Sequence, residues 1–288
     1  IKDSYNNDVT DEFIKPVINA NVANTKIEEG DAVICFNFRT DRCREITQVL
    51  TQSDMPDFGM KTIPLHYTTI TQYDQSFKGV NVMFENDDLK STLGEILEQN
   101  NRTQIRIAET EKYAHVTYFF NGGEEKVFEN EDRILIPSPR DITTYDQRPS
   151  ISAPEVTDKL VSALQSGDYD LTVVNFANMD MVGHTGVMDA AVKACETVDH
   201  CLQSVVEAGL EKEYQFIILA DHGNADCMLN EDGSPNTAHT TTVVPCFLVG
   251  SSSQNLALKE GKLGDIAPTI LSLMGISIPS EMTGNVLT

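Results

Sequence analysis

The chain has 288 residues, 40% of them apolar and 23% charged, an ordinary make-up for a globular protein of one or two domains with a sizeable core. Its formal net charge of −23 argues against a nucleic-acid partner and against docking on anionic membranes, since both need basic surface. No apolar run approaches the roughly 20 residues that cross a bilayer, the opening residues are polar rather than signal-like, and six cysteines form no C-x-x-C pair, so a reducing cytoplasm is the expected setting.

In chain order, Asp31–Phe38 reads as a short buried strand, followed by the polar Arg39-Thr-Asp-Arg42 and a helical stretch from Glu45 to Leu50. Lys61–Tyr73 is rich in β-formers and holds a second strand. Asn81–Phe84 is apolar, and the polar Glu85-Asn-Asp-Asp88 after it marks a domain boundary. Residues 1–86 are read as one domain and 87–288 as another. In the second, Ser91–Gln99 is helical by period, while Gln104–Ala108 and His115–Phe120 are strand-like, with Asn121-Gly-Gly123 as a turn. Ala153–Ser166 is a helix, Asp170–Ala177 a buried strand, Met188–Ala208 a long amphipathic helix. Tyr214–Ala220 and Val244–Val249 are strands, and Asp265–Met274 is a helix stopped by Gly275. The alternation predicts an α/β fold with a largely parallel sheet flanked by helices.

Three segments carry the chemistry: Asn175-Phe-Ala-Asn-Met-Asp180-Met-Val-Gly-His184-Thr-Gly, Ala220-Asp221-His222-Gly-Asn-Ala-Asp226, and Thr237-Ala-His239-Thr240. Two follow strands directly and the third precedes one. In a parallel sheet, functional groups gather beyond the carboxyl ends of the strands. Asp180 and His184, four residues apart, share a face on one helical turn, as metal ligands must. Taken alone they also read as a helix cap and a solvated histidine. Asp221-His222-Gly223 alone reads equally as a turn. Together, two carboxylates and three imidazoles form a ligand set for manganese or zinc. A pair of such ions suits phosphoryl groups, because it stabilises both the attacking and the leaving oxygen. Arg39 and Arg42 are a spaced basic pair able to clamp a phosphate or carboxylate, or a surface pair neutralised by Asp41 and Glu45. Lys112 lies among acidic residues, where a solvated salt bridge is the simpler reading. His66, His115 and His200 lie in regular elements and are read as structural.

These segments, with Phe36-Asn-Phe-Arg39-Thr-Asp-Arg42 and Arg106-Ile-Ala-Glu-Thr-Glu-Lys112-Tyr-Ala-His-Val-Thr117, resemble the 2,3-bisphosphoglycerate-independent phosphoglycerate mutases of the alkaline phosphatase superfamily. The resemblance runs from Val9-Thr-Asp-Glu-Phe13 to Glu281-Met-Thr-Gly284. It implies interconversion of 3-phosphoglycerate and 2-phosphoglycerate through a phosphoserine intermediate, with two Mn²⁺ ions. It implies that residues 1–86 end a transferase domain and that 87–288 form a phosphatase-type domain. Asp180, His184 and His239 would hold one metal, and Asp221 and His222 the other. Arg39 and Arg42 would hold substrate, and Lys112 would bind substrate and neutralise the transferring phosphoryl group. The family's nucleophilic serine and one aspartate ligand have no counterpart here. Ser138, Ser150, Ser152 and Ser251 lack that context. With Ile1 in first place, the chain is expected to be the C-terminal part of a longer enzyme, inactive alone and monomeric when intact. Met179 and Thr40 stand where prolines are common in the family. A related phosphohydrolase or phosphopentomutase, and a non-catalytic metal-stabilised binding module, are the rival functions.

Overall fold

The structure is a computed structural model describing residues 1–7, 9, 14–19, 21–22, 25–85, 89–250 and 256–288. Residue 86, where the sequence placed its boundary, lies outside the described residues, as do Thr10–Phe13 and Ser251. The chain divides into two compact units, Ile1–Asp88 and Leu89–Thr288.

The first unit holds α1 (Lys2–Tyr5), β1 (Ala32–Cys35), α2 (Asp41–Thr47), β2 (His66–Thr71) and β3 (Val80–Phe84). The three strands pair in parallel in the order β1-β2-β3. Parallel neighbours need a crossover, and α2 lies in the one between β1 and β2. The predicted helix Glu45–Leu50 starts earlier, at Asp41, and its last part widens into a π turn over Gln48–Gln52. On β2, Tyr67 and Thr69 alternate inward and are buried.

The second unit runs α3 (Leu93–Gln99), β4 (Gln104–Glu109), α4 (Thr110–Val116), β5 (Glu131–Ile136), α5 (Ala153–Ser166), β6 (Leu171–Asn175), α6 (Asn178–Gly183), α7 (Met188–Leu210), β7 (Phe216–Leu219), β8 (Cys246–Val249) and α8 (Ile266–Leu273). Strand β4 is central, parallel to β5 on one side and β6 on the other. All six of its residues are buried. Ile105 and Ile107 pack with Val156, Leu160 and Leu164 of α5 and Val205 of α7. A second cluster joins Leu93, Ile96 and Leu97 of α3 to Leu271 of α8. Between Ile105 and Ile107, Arg106 is wholly buried, with its guanidinium 4.3 Å from the centre of the Phe120 ring and 2.5 Å from Gln104 Oε1. Burial lowers its pKa to about 10, against the pull of Glu131.

Two local readings are corrected. His115–Phe120 is not a strand: α4 covers His115 and Val116, and turns follow. Lys112 and Val116, one turn apart, are both buried, and that helical face outweighs the β-preference of Val116, Tyr118 and Phe119. Conversely, β5 is a strand that the sequence reading passed over, although Ile134-Leu-Ile136 before Pro137 signals one. The sheet is also not continuous. Strands β7 and β8 form a separate antiparallel pair, Phe216 opposite Val249. Among the described residues, the outer edge of β6 and one edge of β7 pair with no strand, and both strands line a groove of about 1010 Å³.

Leu160 is 1% exposed at the centre of the β4–α5 core. Leu160→Ala is expected to lower unfolding stability by about 2–5 kcal/mol, read as a lower urea midpoint with little change in slope.

Candidate metal centre

The candidate residues sit where strands end. Strand β4 leads into α4 and places Lys112 one turn in. Strand β6 leads into α6, with Asp180 in its first turn and His184 at its C-cap. Strand β7 runs into Asp221-His222, and His239 sits in the connection before β8. An isolated bridge between Gly223 and Thr240 ties those two loops together.

Asp180 is the hub, with its side chain only 14% exposed. Its Oδ2 accepts a 2.5 Å hydrogen bond from Lys112 Nζ, which is itself buried. Its Oδ1 lies 3.1 Å from His184 Nε2, 3.1 Å from His239 Nε2 and 3.9 Å from His222 Nε2. Burial opposes ionisation of Asp180. A hydrogen bond from His184 Nε2 when that ring is doubly protonated, and the charge of Lys112, outweigh it and hold the carboxyl well below the usual carboxylate range.

The histidines are held by their far nitrogens. His184 Nδ1 is 2.6 Å from the Thr237 carbonyl, and His222 Nδ1 is 3.2 Å from the Gly223 carbonyl. A carbonyl only accepts, so each Nδ1 carries the proton. In the neutral ring the lone pair then sits on Nε2, the atom facing Asp180. The rings of His222 and His239 stack at 3.8 Å, and His184 Nε2 lies 3.1 Å from His239 Nε2. The pKa of His239 is lowered, first by burial and then by His222, against the attraction of Asp180. Converging lone pairs around one carboxylate repel one another unless protons or a cation lie among them. That donor set fits a divalent ion of borderline softness, and Asp180, His222 and His239 offer ligand atoms all within 4.8 Å of one another.

Asp180, His184, His222, His239 and Lys112 come together. His222 stands with Asp180 and His239 and is within reach of Asp221 as well. The Asp221 side chain is 53% exposed, and its Oδ1 is 3.7 Å from His222 Nε2. Arg39 and Arg42 belong to the first unit, where both are exposed, Arg39 after β1 and Arg42 in the first turn of α2. The groove between β6 and β7 reaches Lys112, Asp180, Asp221 and His222.

Two residues of the neighbourhood escaped the sequence reading. Asn224 donates its amide to Asp180 Oδ1 at 3.2 Å, and its place two residues after His222 was the available signal. Glu109, at the end of β4, is wholly buried, accepts the Ser138 hydroxyl at 2.9 Å on Oε2, and has no partner for Oε1. Strand alternation hinted at neither its burial nor its partner.

Comparison with known proteins agrees with this geometry. Residues 12–278 match the model of the Metalloenzyme superfamily. The chain belongs to that superfamily. It is 54% identical over 288 residues to the 2,3-bisphosphoglycerate-independent phosphoglycerate mutase of Bacteroides thetaiotaomicron, covering all of this chain and 56% of that protein. It is 53% identical over 287 residues to the enzyme of the same name from Flavobacterium johnsoniae, covering 98% and 56%. The chain thus spans just over half the length of these curated relatives. A crystal structure of Leishmania mexicana phosphoglycerate mutase at low cobalt concentration matches with a TM-score of 0.81 at 28% identity, covering 91% of this chain and 51% of that one. This likeness carries the predicted fold class, parallel strands flanked by helices. No described helix is long and apolar enough to cross a membrane.

Burial pushes the Glu109 carboxyl up to about 7, against the Ser138 hydrogen bond. The fold therefore binds a proton that the unfolded chain releases near 4.5. That contribution to stability is present below about pH 4.5 and is lost as pH rises through about 7. Glu109→Gln, which stays neutral, is expected to match wild type in urea midpoint at the acid end and to exceed it at the alkaline end. A constant difference across that window would show that Glu109 is ionised in the fold.

Proposed function

We propose that this chain is the metal-binding and part of the substrate-binding portion of a cofactor-independent phosphoglycerate mutase, an isomerase that interconverts 3-phosphoglycerate and 2-phosphoglycerate in glycolysis and gluconeogenesis. The observation that carries the proposal is the part-buried Asp180 carboxylate, met by the Lys112 ammonium and three imidazoles where β4, β6 and β7 end and β8 begins. The 50–54% identity to proteins of that name supports it. Because the chain spans about 56% of those relatives, the reaction is assigned to a protein of their full length.

In this reading Leu89–Thr288 is the phosphatase-type domain and Ile1–Asp88 the end of the transferase domain. Asp180, His184 and His239 hold one Mn²⁺, and His222 with Asp221 contributes to a second. Such ions, when bound, offset phosphoryl charge on the entering and leaving oxygens. Lys112 supplies a fixed positive charge whose position costs no reorganisation during transfer, because Asp180 already holds it in a part-buried ion pair. Arg39 and Arg42 present guanidinium forks to the phosphate and carboxylate of the glycerate. Orientation of that glycerate decides which hydroxyl receives the phosphoryl group, so a loosely held substrate would give hydrolysis in place of isomerisation. The whole enzyme is proposed to act as a monomer in the cytoplasm.

The full-length polypeptide, loaded with Mn²⁺, is expected to form 2-phosphoglycerate from 3-phosphoglycerate, and residues 1–288 alone are expected to form none. Lys112→Met in the full-length protein is expected to lower kcat by about a hundredfold to a thousandfold. Full-length protein that turns over pentose phosphates and not phosphoglycerates would overturn the assignment.

A further inference from the structure

Asp180 lies in α6 after β6 and His222 in the loop after β7, and these strands do not pair with each other. Something other than the sheet must set the distance between them. Asn224 spans that gap. It belongs to the loop of His222, yet its Nδ2 donates to Asp180 Oδ1 at 3.2 Å. The residue is 6% exposed, and its own carbonyl accepts the Cys227 N–H at 3.1 Å, which holds the loop closed behind it.

The opposite side of the amide meets Gly183, which lies in α6 between Asp180 and His184. A Cβ at Gly183 would stand 2.0 Å from Asn224 Oδ1 and 2.9 Å from its Cγ. Only glycine admits this approach, and φ at Gly183 is not the reason, since the residue is helical and outside the positive-φ set. Asn224 Oδ1 has no hydrogen-bond partner although it is buried. Turning the amide over would aim that oxygen at the Asp180 carboxylate, oxygen against oxygen. The orientation with Nδ2 on Asp180 is thus the one the carboxylate selects, and the fold tolerates an unpaired acceptor to keep it.

We infer that Asn224, seated against Gly183, is a positioning residue that sets the spacing of Asp180 and His222 and thereby the affinity and geometry of the metal centre. The inference rests on the metal reading of the Asp180 cluster. Asn224 is not assigned as a ligand. It acts through the carboxylate it orients, as hydrogen-bonding partners of metal ligands generally do.

The test compares residues 1–288 with Asn224→Ala, Gly183→Ala and Leu160→Ala. Mn²⁺ binding is read by calorimetry, and the visible spectrum of added Co²⁺ is read as a report on ligand geometry. Asn224→Ala and Gly183→Ala are expected to bind Mn²⁺ about 10–100-fold more weakly and to shift the Co²⁺ bands. Leu160→Ala destabilises the β4–α5 core, whose packed cluster includes none of the site residues, and is expected to leave both readouts as in wild type. Wild-type affinity and spectrum in Asn224→Ala would overturn the positioning role while leaving the metal reading intact. An equal loss in Leu160→Ala would reduce the effect of Asn224 to general stability and overturn the role as well. No Mn²⁺ or Co²⁺ binding by the wild-type chain would overturn the metal reading, and the inference with it.

Discussion

A carboxylate taken out of water must be met by charge and hydrogen bonds, and Asp180 imposes that requirement on the second unit. Its oxygens face Lys112 from the end of β4, His184 from its own helix, Asn224 from the loop after β7, and His239 from the connection into β8. Each partner comes from a different stretch of sequence, so the site forms only when the strand ends have converged. The same convergence leaves the imidazole lone pairs facing inward, because backbone carbonyls of Thr237 and Gly223 occupy the Nδ1 protons of His184 and His222. Lys112 compensates one negative charge. The donor set around Oδ1 gains most from a cation, and the membership of the chain in the Metalloenzyme superfamily agrees with that.

Much of this site was legible in the sequence, for a physical reason. Polar residues directly after apolar strand-like runs are placed at a sheet edge whatever the details of packing, and Asp180, His184, Asp221 and His222 all met that description. Lys112 was harder. Read locally, it is a lysine among glutamates, and only the helix that buries Lys112 and Val116 together turns it toward Asp180. The last two residues of that helix, His115 and Val116, were misread as the start of a strand, because local β-preference in Val116–Phe120 conceals a burial pattern set by tertiary contacts. The antiparallel pairing of β7 and β8 was illegible as well, since strand direction leaves no mark on composition. Asn224 and Glu109 share a further difficulty. Their roles consist of one contact each with a residue distant in sequence.

The net charge of −23 sharpens the contrast between the surface and the proposed chemistry. An anionic substrate approaches such a molecule against its overall field, so local cations must do the recruiting. Within the second unit, Lys112 is engaged with Asp180, and the proposed metal ions supply the remaining positive charge. The apolar groove between β6 and β7 opens at this centre, so the edges of both strands and the Asp180 cluster share one depression. The arrangement gathers the candidate residues of the unit where β4, β6 and β7 end and β8 begins.

The central claim is that the Asp180 cluster is a divalent-metal site. Electron paramagnetic resonance of Mn²⁺ titrated into residues 1–288, beside the isosteric Asp180→Asn variant, tests it most directly. Free Mn²⁺ gives a strong signal that is lost on binding. The account expects the signal to be quenched by wild type and to persist with the variant, whose neutral amide cannot replace the carboxylate at the hub. A signal that persists with both proteins, or is quenched equally by both, would contradict it.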